Sequence, residues 1–294
     1  MFCWVSLVLI SLFQPSPALP VSQEPPVSCR GWLSGPADHL NTIQQSESES
    51  SAVDMSTGDL EPSHYPARRA AQVVLHHLNT RHGSPFRVFG LKEVHRARAE
   101  DVASEGRKYD LDFSVTDWAS GGSVLRCSAQ VLFSRSEQHN LPEVQCQCEG
   151  LQQLNTSSDE KDFYHKHNTP DHHVSAQDIP DSYGNMSQEI KPFWHLAHVA
   201  ASFIMLQESN ENTEYNMAQV ASVTQQESKH NQLMLKYHVL LHDLPSQEII
   251  HWKLLASWSP DGGVRVLETE RQPKCPHNAD LPNSTVPTTT FTAN

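Results

Sequence analysis

One pattern limits the folds open to this chain more than any other: a helix followed by four strands, written twice over comparable lengths. The first copy opens at Tyr65-Pro66, where proline suits the start of a helix, and Ala67, Ala70, Ala71, Val74, Leu75 and Leu78 follow at spacings of three and four. Gly83-Ser84-Pro85 stops that helix. Strand candidates follow at Phe86 to Arg96, Lys108 to Trp118, Val124 to Ser134 and Glu143 to Gly150. The second copy opens at Pro192, and Phe193, Leu196, Ala197, Val199, Ala200, Phe203, Ile204 and Leu206 cover most of its helix, which is therefore buried on more than one side. Its strand candidates are Glu214 to Gln225, which alternates irregularly, then Gln232 to His242, Glu248 to Ser259 and Val264 to Glu270. Strands that run together after a helix, without βαβ alternation, predict an α+β fold with each helix packed across one four-stranded antiparallel sheet.

The flanks read differently. MFCWVSLVLISLFQPSPALP holds an apolar run from Phe2 to Phe13, too short for a membrane span, followed by Ser16-Pro17-Ala18. We expect 1–20 to be a signal peptide cut after Ala18 and the product to be secreted; the alternative is an anchor retained in a membrane. Residues 21–61 are rich in Pro, Ser, Gln and acid, and 271–294 in Thr, Pro and Asn, so both are expected to be mobile tails. The remaining boundaries are a first subdomain at 62–150, a linker at 151–186 with a short helix from Asp159 to His167 and a turn at Ile179-Pro180-Asp181, and a second subdomain at 187–270. Lys and Arg number 21 against 34 Asp and Glu, a net charge of −13, which disfavours nucleic acid and anionic membrane as partners.

Removal of 1–20 leaves Cys29, Cys127, Cys146, Cys148 and Cys275, an odd number. Cys127 and the Cys146/Cys148 pair lie on strand candidates that can form a hairpin. Cys146 and Cys148 share a face, so either could meet Cys127, and we favour a Cys127–Cys148 disulfide. The Cys-x-Cys pattern has no second ligand pair for zinc. His165, His167, His172 and His173 are read as a solvated acidic-histidine linker, and His195 and His198 as exposed or hydrogen-bonded residues, so no bound metal or cofactor is expected. No nucleophile elbow, HExxH helix, phosphate loop or dinucleotide fingerprint is present, and no catalytic residue is assigned. Asn155, Asn185 and Asn283 head glycosylation sequons.

The stretch KYHVLLHDLPSQEIIHWKLLASW, Lys236 to Trp258, reads as two strands joined by a short turn. Leu233, Leu235, Tyr237, Val239 and Leu241 give the first strand an apolar face; Ile250, Trp252, Leu254 and Ala256 share one parity in the second, leaving Ile249 and Leu255 on the other. The turn is stiffened by Pro245 and tipped with uncharged polar groups, so it could enter a partner's cleft without burying a charge.

A helix wrapped by a four-stranded antiparallel sheet resembles the cystatin unit. The nearest match to the cystatin Gln-x-Val-x-Gly tip, Gln72-Val73-Val74-Leu75-His76, lacks the glycine and sits on the first helix. YPARRAA at Tyr65, RVFGLKEV at Arg87, KYDLDFSV at Lys108, CSAQVLF at Cys127, IPDSYGN at Ile179, HLAHVAASFIM at His195 and YHVLLHDLPSQEIIHW at Tyr237 together resemble the latexin family, over about Pro62 to Glu268. The signal-like N-terminus, the cysteines and the tails resemble its retinoic-acid receptor responder 1 and ovocalyxin-32 branch. The resemblance implies two cystatin-like subdomains and a non-enzymatic, monomeric inhibitor of zinc metallocarboxypeptidases of the A/B type. It further implies that His242, Pro245, Ser246, Gln247 and Glu248 contact the protease, Gln247 reaching toward the catalytic zinc. Where the family reads Glu-Ile-Ile-Pro-Trp, this chain has Glu248-Ile249-Ile250-His251-Trp252. A matrix- or mineral-associated protein with acidic working tails, or a membrane-anchored regulator, would use the same scaffold without inhibition.

Overall fold

The computed structural model describes residues 57–273 apart from 104, 120, 136–140 and 170–172. The expected signal, most of both expected tails, Cys29, Cys275, Asn283 and His172 lie outside the described residues. The first half runs β1 (Gly58–Leu60), α1 (Tyr65–His82), β2 (Phe89–Val102), β3 (Gly106–Asp117), β4 (Val124–Ser134) and β5 (Glu143–Cys148). The second runs α2 (Ser157–His167), β6 (Ser175–Ile179), α3 (Lys191–Glu208), β7 (Tyr215–Lys229), β8 (Gln232–Asp243), β9 (Glu248–Ser259) and β10 (Gly263–Arg271). Two antiparallel sheets result, in the orders β1-β2-β3-β4-β5 and β10-β9-β8-β7-β6, giving an α+β fold of two cystatin-like units.

Each sheet has five strands where four are expected. The extra strand lies outside β2 in one case and outside β7 in the other. β1 falls within the segment read as a tail and β6 within the segment read as a linker. Neither carries a strand signal: Gly58-Asp59-Leu60 is too short to alternate, and Ser175-Ala-Gln-Asp-Ile179 is a polar edge strand with only Ile179 buried.

The repeat extends to the register. α1 and α3 begin 126 residues apart, at Tyr65 and Lys191, and the same interval separates Asp117 from Asp243 at the ends of β3 and β8. β2 is irregular at Leu91/Glu93 and Val94/Arg96, and β7 at Met217/Gln219 and Val220/Ser222, again 126 residues on. A bulge flips the side-chain parity and sharpens the twist. Paired bulges therefore let each sheet wrap its helix, and they are the reason for the irregular alternation in Glu214 to Gln225.

α1 buries Ala70, Ala71, Val74 and Leu78 against Phe89, Leu111, Phe113 and Val131 of the first sheet. α3 buries Phe193, Leu196, Ala200 and Ile204 against Val220, Tyr237, Val239 and Trp258 of the second. The two cores exchange residues, since Phe86 packs into the second and Leu206 into the first. α1 and α3 also pack on each other. A Cβ at Gly83 would lie 2.5 Å from Val199 Cγ2 and 2.4 Å from the Asn79 carbonyl oxygen, so only glycine fits where the end of α1 meets α3.

Three histidines are buried along this seam. His76 donates from Nε2 to the Tyr215 carbonyl (3.1 Å), and His195 from Nδ1 to the Pro85 carbonyl (2.6 Å). His195 is thus hydrogen-bonded, one of the two expected states, and both it and His198 are buried. His167 is buried too, against Phe163 and Phe193, so the expected solvated histidine linker holds for the exposed His165 and His173 but not for it. Burial, reinforced by a neighbouring imidazole in each case, pushes the pKa of His76 down to about 3 and that of His198 down to about 4. Both are neutral in the folded chain and titrate near 6.5 once unfolded. The stability this represents is complete above that value and is lost as pH falls from 6.5 toward the folded values. Between pH 7 and 5 each histidine should remove about 2 kcal/mol of unfolding free energy. Urea unfolding at the two pH values checks this: His76→Gln, which cannot take up the proton, should lose about 2 kcal/mol less over the interval than the parent chain.

Candidate functional site

β8 and β9 meet at a four-residue loop, Leu244–Gln247, closed by the Asp243–Glu248 pair. Asp243 is buried and anchors the loop. Its Oδ1 accepts the Glu214 backbone N–H (3.0 Å) and its Oδ2 the Ser246 hydroxyl (2.5 Å), while the Leu244 N–H donates to the Glu214 carbonyl (2.9 Å). The loop is therefore stitched to itself and to the lead-in of β7. Burial raises the pKa of the Glu214 carboxyl, opposed by the guanidinium groups of Arg68 and Arg69.

Pro245, Ser246 and Gln247 are exposed at the tip. Gln247 closes the loop in the left-handed region (φ 57°), where a residue with a Cβ carries strain of roughly 1 kcal/mol. Its side chain folds back, Nε2 donating to the Leu244 carbonyl at 2.5 Å. To reach a partner, this amide would exchange one hydrogen bond for another, with no charge to desolvate. His242 and Glu248 stand a step back on the strands, both half-buried, with His242 opposite Ile249. Ile249 is 44% exposed, an apolar shoulder below the tip. Sequence reasoning missed Asp243 as the anchor, although Asp is a favoured first residue of a β-turn.

The first half carries the equivalent corner. Asp117 Oδ1 accepts the Val88 N–H (3.3 Å) and the Trp118 N–H donates to the Val88 carbonyl (2.8 Å), matching Asp243, Glu214 and Leu244. There the Trp118 ring, 44% exposed, lies 6.3 Å from the Trp194 ring and 5.4 Å from the His198 ring on α3. It also covers Gly90, where a Cβ would come within 2.1 Å of the indole.

The structure joins Cys127 to Cys148 across β4 and β5. Cys146 is half-buried with its sulfur 3.8 Å from that of Cys148, and burial pushes its thiol up to about 11. The three sulfurs lie within 4.8 Å of one another, but two are consumed by the disulfide. Asn155 and Asn185 are exposed.

The latexin family model matches residues 60–276. The chain belongs to the latexin family. Latexin of Mus musculus is 37% identical over 216 residues, which make up 74% of this chain and 97% of that protein. This family member therefore carries sequence outside the shared segment that latexin lacks. Ovocalyxin-32 of Gallus gallus is 33% identical over 208 residues, 70% of this chain and 74% of its own length, so it too extends beyond the shared segment. Among solved structures, mouse fetuin-B superposes over 73% of this chain and 70% of its own with 12% identity and a TM-score of 0.24, too low to inform fold or activity.

Asp243→Ala should cost about 1–3 kcal/mol, because it leaves the Glu214 N–H at a buried position without its acceptor. Hydrogen exchange should accelerate at Glu214 and across Leu244–Gln247. Ser246→Ala, which removes one bond at an exposed position, should cost no more than about 1 kcal/mol by urea unfolding.

Proposed function

We propose that this chain is a secreted, non-enzymatic inhibitor of a zinc metallocarboxypeptidase of the A/B type. The loop Leu244–Gln247 enters the active-site funnel, with Gln247 directed toward the catalytic zinc and His242 and Glu248 meeting the rim. The observation that supports this reading is the tip itself, an exposed, uncharged amide folded back on a loop whose shape is set by Asp243. A tethered loop loses little conformational freedom on binding, and a neutral amide can donate to a carboxylate or accept from an arginine without an unpaired charge being buried. Membership of the latexin family supports the target class. The cross-strand disulfide suits an oxidising compartment, and Asn155 and Asn185 are open to glycosylation there.

The test is inhibition of carboxypeptidases A and B by the full chain. Inhibition at micromolar concentration or below is expected, with Gln247→Ala weakening it about tenfold or more, about 1.4 kcal/mol. Gln247→Asn keeps an amide and tolerates the left-handed backbone, so it should retain more inhibition than alanine. No inhibition at micromolar chain would overturn the proposal, and undiminished inhibition by Gln247→Ala would remove the loop from it.

A further inference from the structure

The outer face of the second sheet, turned away from α3, carries an arrangement that the inhibitory reading does not use. His238 on β8 and His251 on β9 are diagonal neighbours: Leu240 faces His251 and Lys253 faces His238 in the register. Diagonal positions on one face of an antiparallel pair are within reach of long side chains. Here the two rings meet, His238 Nε2 lying 3.1 Å from His251 Nδ1 with ring centroids 5.2 Å apart. His238 is 9% exposed and His251 half-buried, so the pair opens to solvent on the His251 side.

We infer that His238 and His251 form a cross-strand chelate for a divalent transition-metal ion of the imidazole-seeking class, Cu2+ before Zn2+. Two imidazole nitrogens bound to one such ion at about 2.0–2.1 Å stand about 2.9 Å apart for a right-angled bite and about 3.3 Å for a tetrahedral one. The separation found here falls between these limits, so the spacing suits a chelate once each ring turns its lone pair toward a shared point. Binding requires a lone pair on both facing nitrogens. In the metal-free pair one of the two donates to the other; a tautomeric shift of that proton to the far nitrogen of the same ring presents both lone pairs with no net proton release. Burial holds both rings below the ordinary histidine range, the neighbouring imidazole and Lys253 adding to the effect at His238.

Among the described residues, no third His, Cys, Asp or Glu donor joins the pair within 4.8 Å. Solvent completes the coordination, and affinity rests on two ligands. The order Cu2+ over Zn2+ follows from the general ranking of divalent ions at nitrogen sites. Lys253 opposes a cation here, but Glu270 faces it on β10. The ion would pin together the two strands that carry the loop Leu244–Gln247, although the site stands or falls independently of protease inhibition.

The test titrates the full chain at pH 7.5 with Cu2+ alone and, separately, with Zn2+ alone. Bound metal is read by equilibrium dialysis and the histidine ring resonances by NMR. The expected result is one equivalent taken up in the micromolar range with perturbation of both the His238 and His251 rings. His251→Thr, at a half-buried strand position that accepts a β-branched residue, should weaken that equivalent at least tenfold, and His238→Gln should do the same. The linker control His165→Ala/His173→Ala should leave it intact, separating the pair from background binding by other histidines. Equal uptake by the parent chain and His251→Thr, or saturation with neither ring perturbed, would overturn the inference.

Discussion

The contact on which the rest of the molecule depends is the seam between α1 and α3. Each helix has a sheet on one side and the other helix on the other, so each is buried over much of its circumference, α1 with His76 and Asn79 among its buried residues. The seam is close where Gly83 meets Val199, with no room for a Cβ. Each core also takes a side chain from the other half, Phe86 in one direction and Leu206 in the other. Two units that share a seam and exchange core residues behave as one packed body, not as beads joined by a linker.

The same frame, repeated at an interval of 126 residues, ends in two different corners. Asp117 and Asp243 play the same part, each gathering the backbone N–H that precedes the first long strand of its sheet. The side chains just beyond each aspartate set the outcome. Trp118 finds an aromatic surface on α3 and closes down over Gly90. Leu244-Pro245-Ser246-Gln247 offers no large aromatic, and its polar tip stays in water. Internal repetition accounts for the shared frame, and the side chains just beyond each aspartate distinguish the two corners.

Much of this was legible in the chain, and the exceptions have physical causes. α1 starts and stops, and α3 starts, within a residue or two of where Pro66, Gly83 and Pro192 place them, and β4 and β9 run between the residues at which their alternation begins and ends. The edge strands β1 and β6 were not legible because an edge strand is held by backbone hydrogen bonds and needs no apolar pattern. The strand β7 was irregular in sequence because its bulges move buried residues from one parity to the other at Ala218 and Ala221. The tip residues Pro245, Ser246 and Gln247 were readable, but the anchor beneath them was not, since the tie from Asp243 to Glu214 spans 29 residues. The His238–His251 contact likewise depends on a diagonal register that neither strand encodes alone.

The seam and the loop are connected by a short path of specific bonds. Gln72 on α1 donates to the Asn216 side chain (2.9 Å), and His76, one turn further along, donates to the Tyr215 carbonyl. These two bonds fix the start of β7 to the helix of the other half. Glu214, immediately before it, then presents its N–H to Asp243 and its carbonyl to Leu244, which shapes the tip. A strained residue such as Gln247 keeps its left-handed backbone only where its surroundings over-determine it. Here part of that determination comes from the first half of the molecule, by way of this path. The first cystatin-like unit is therefore more than a spare copy of the second, because it holds rigid the strand from which the exposed loop is hung.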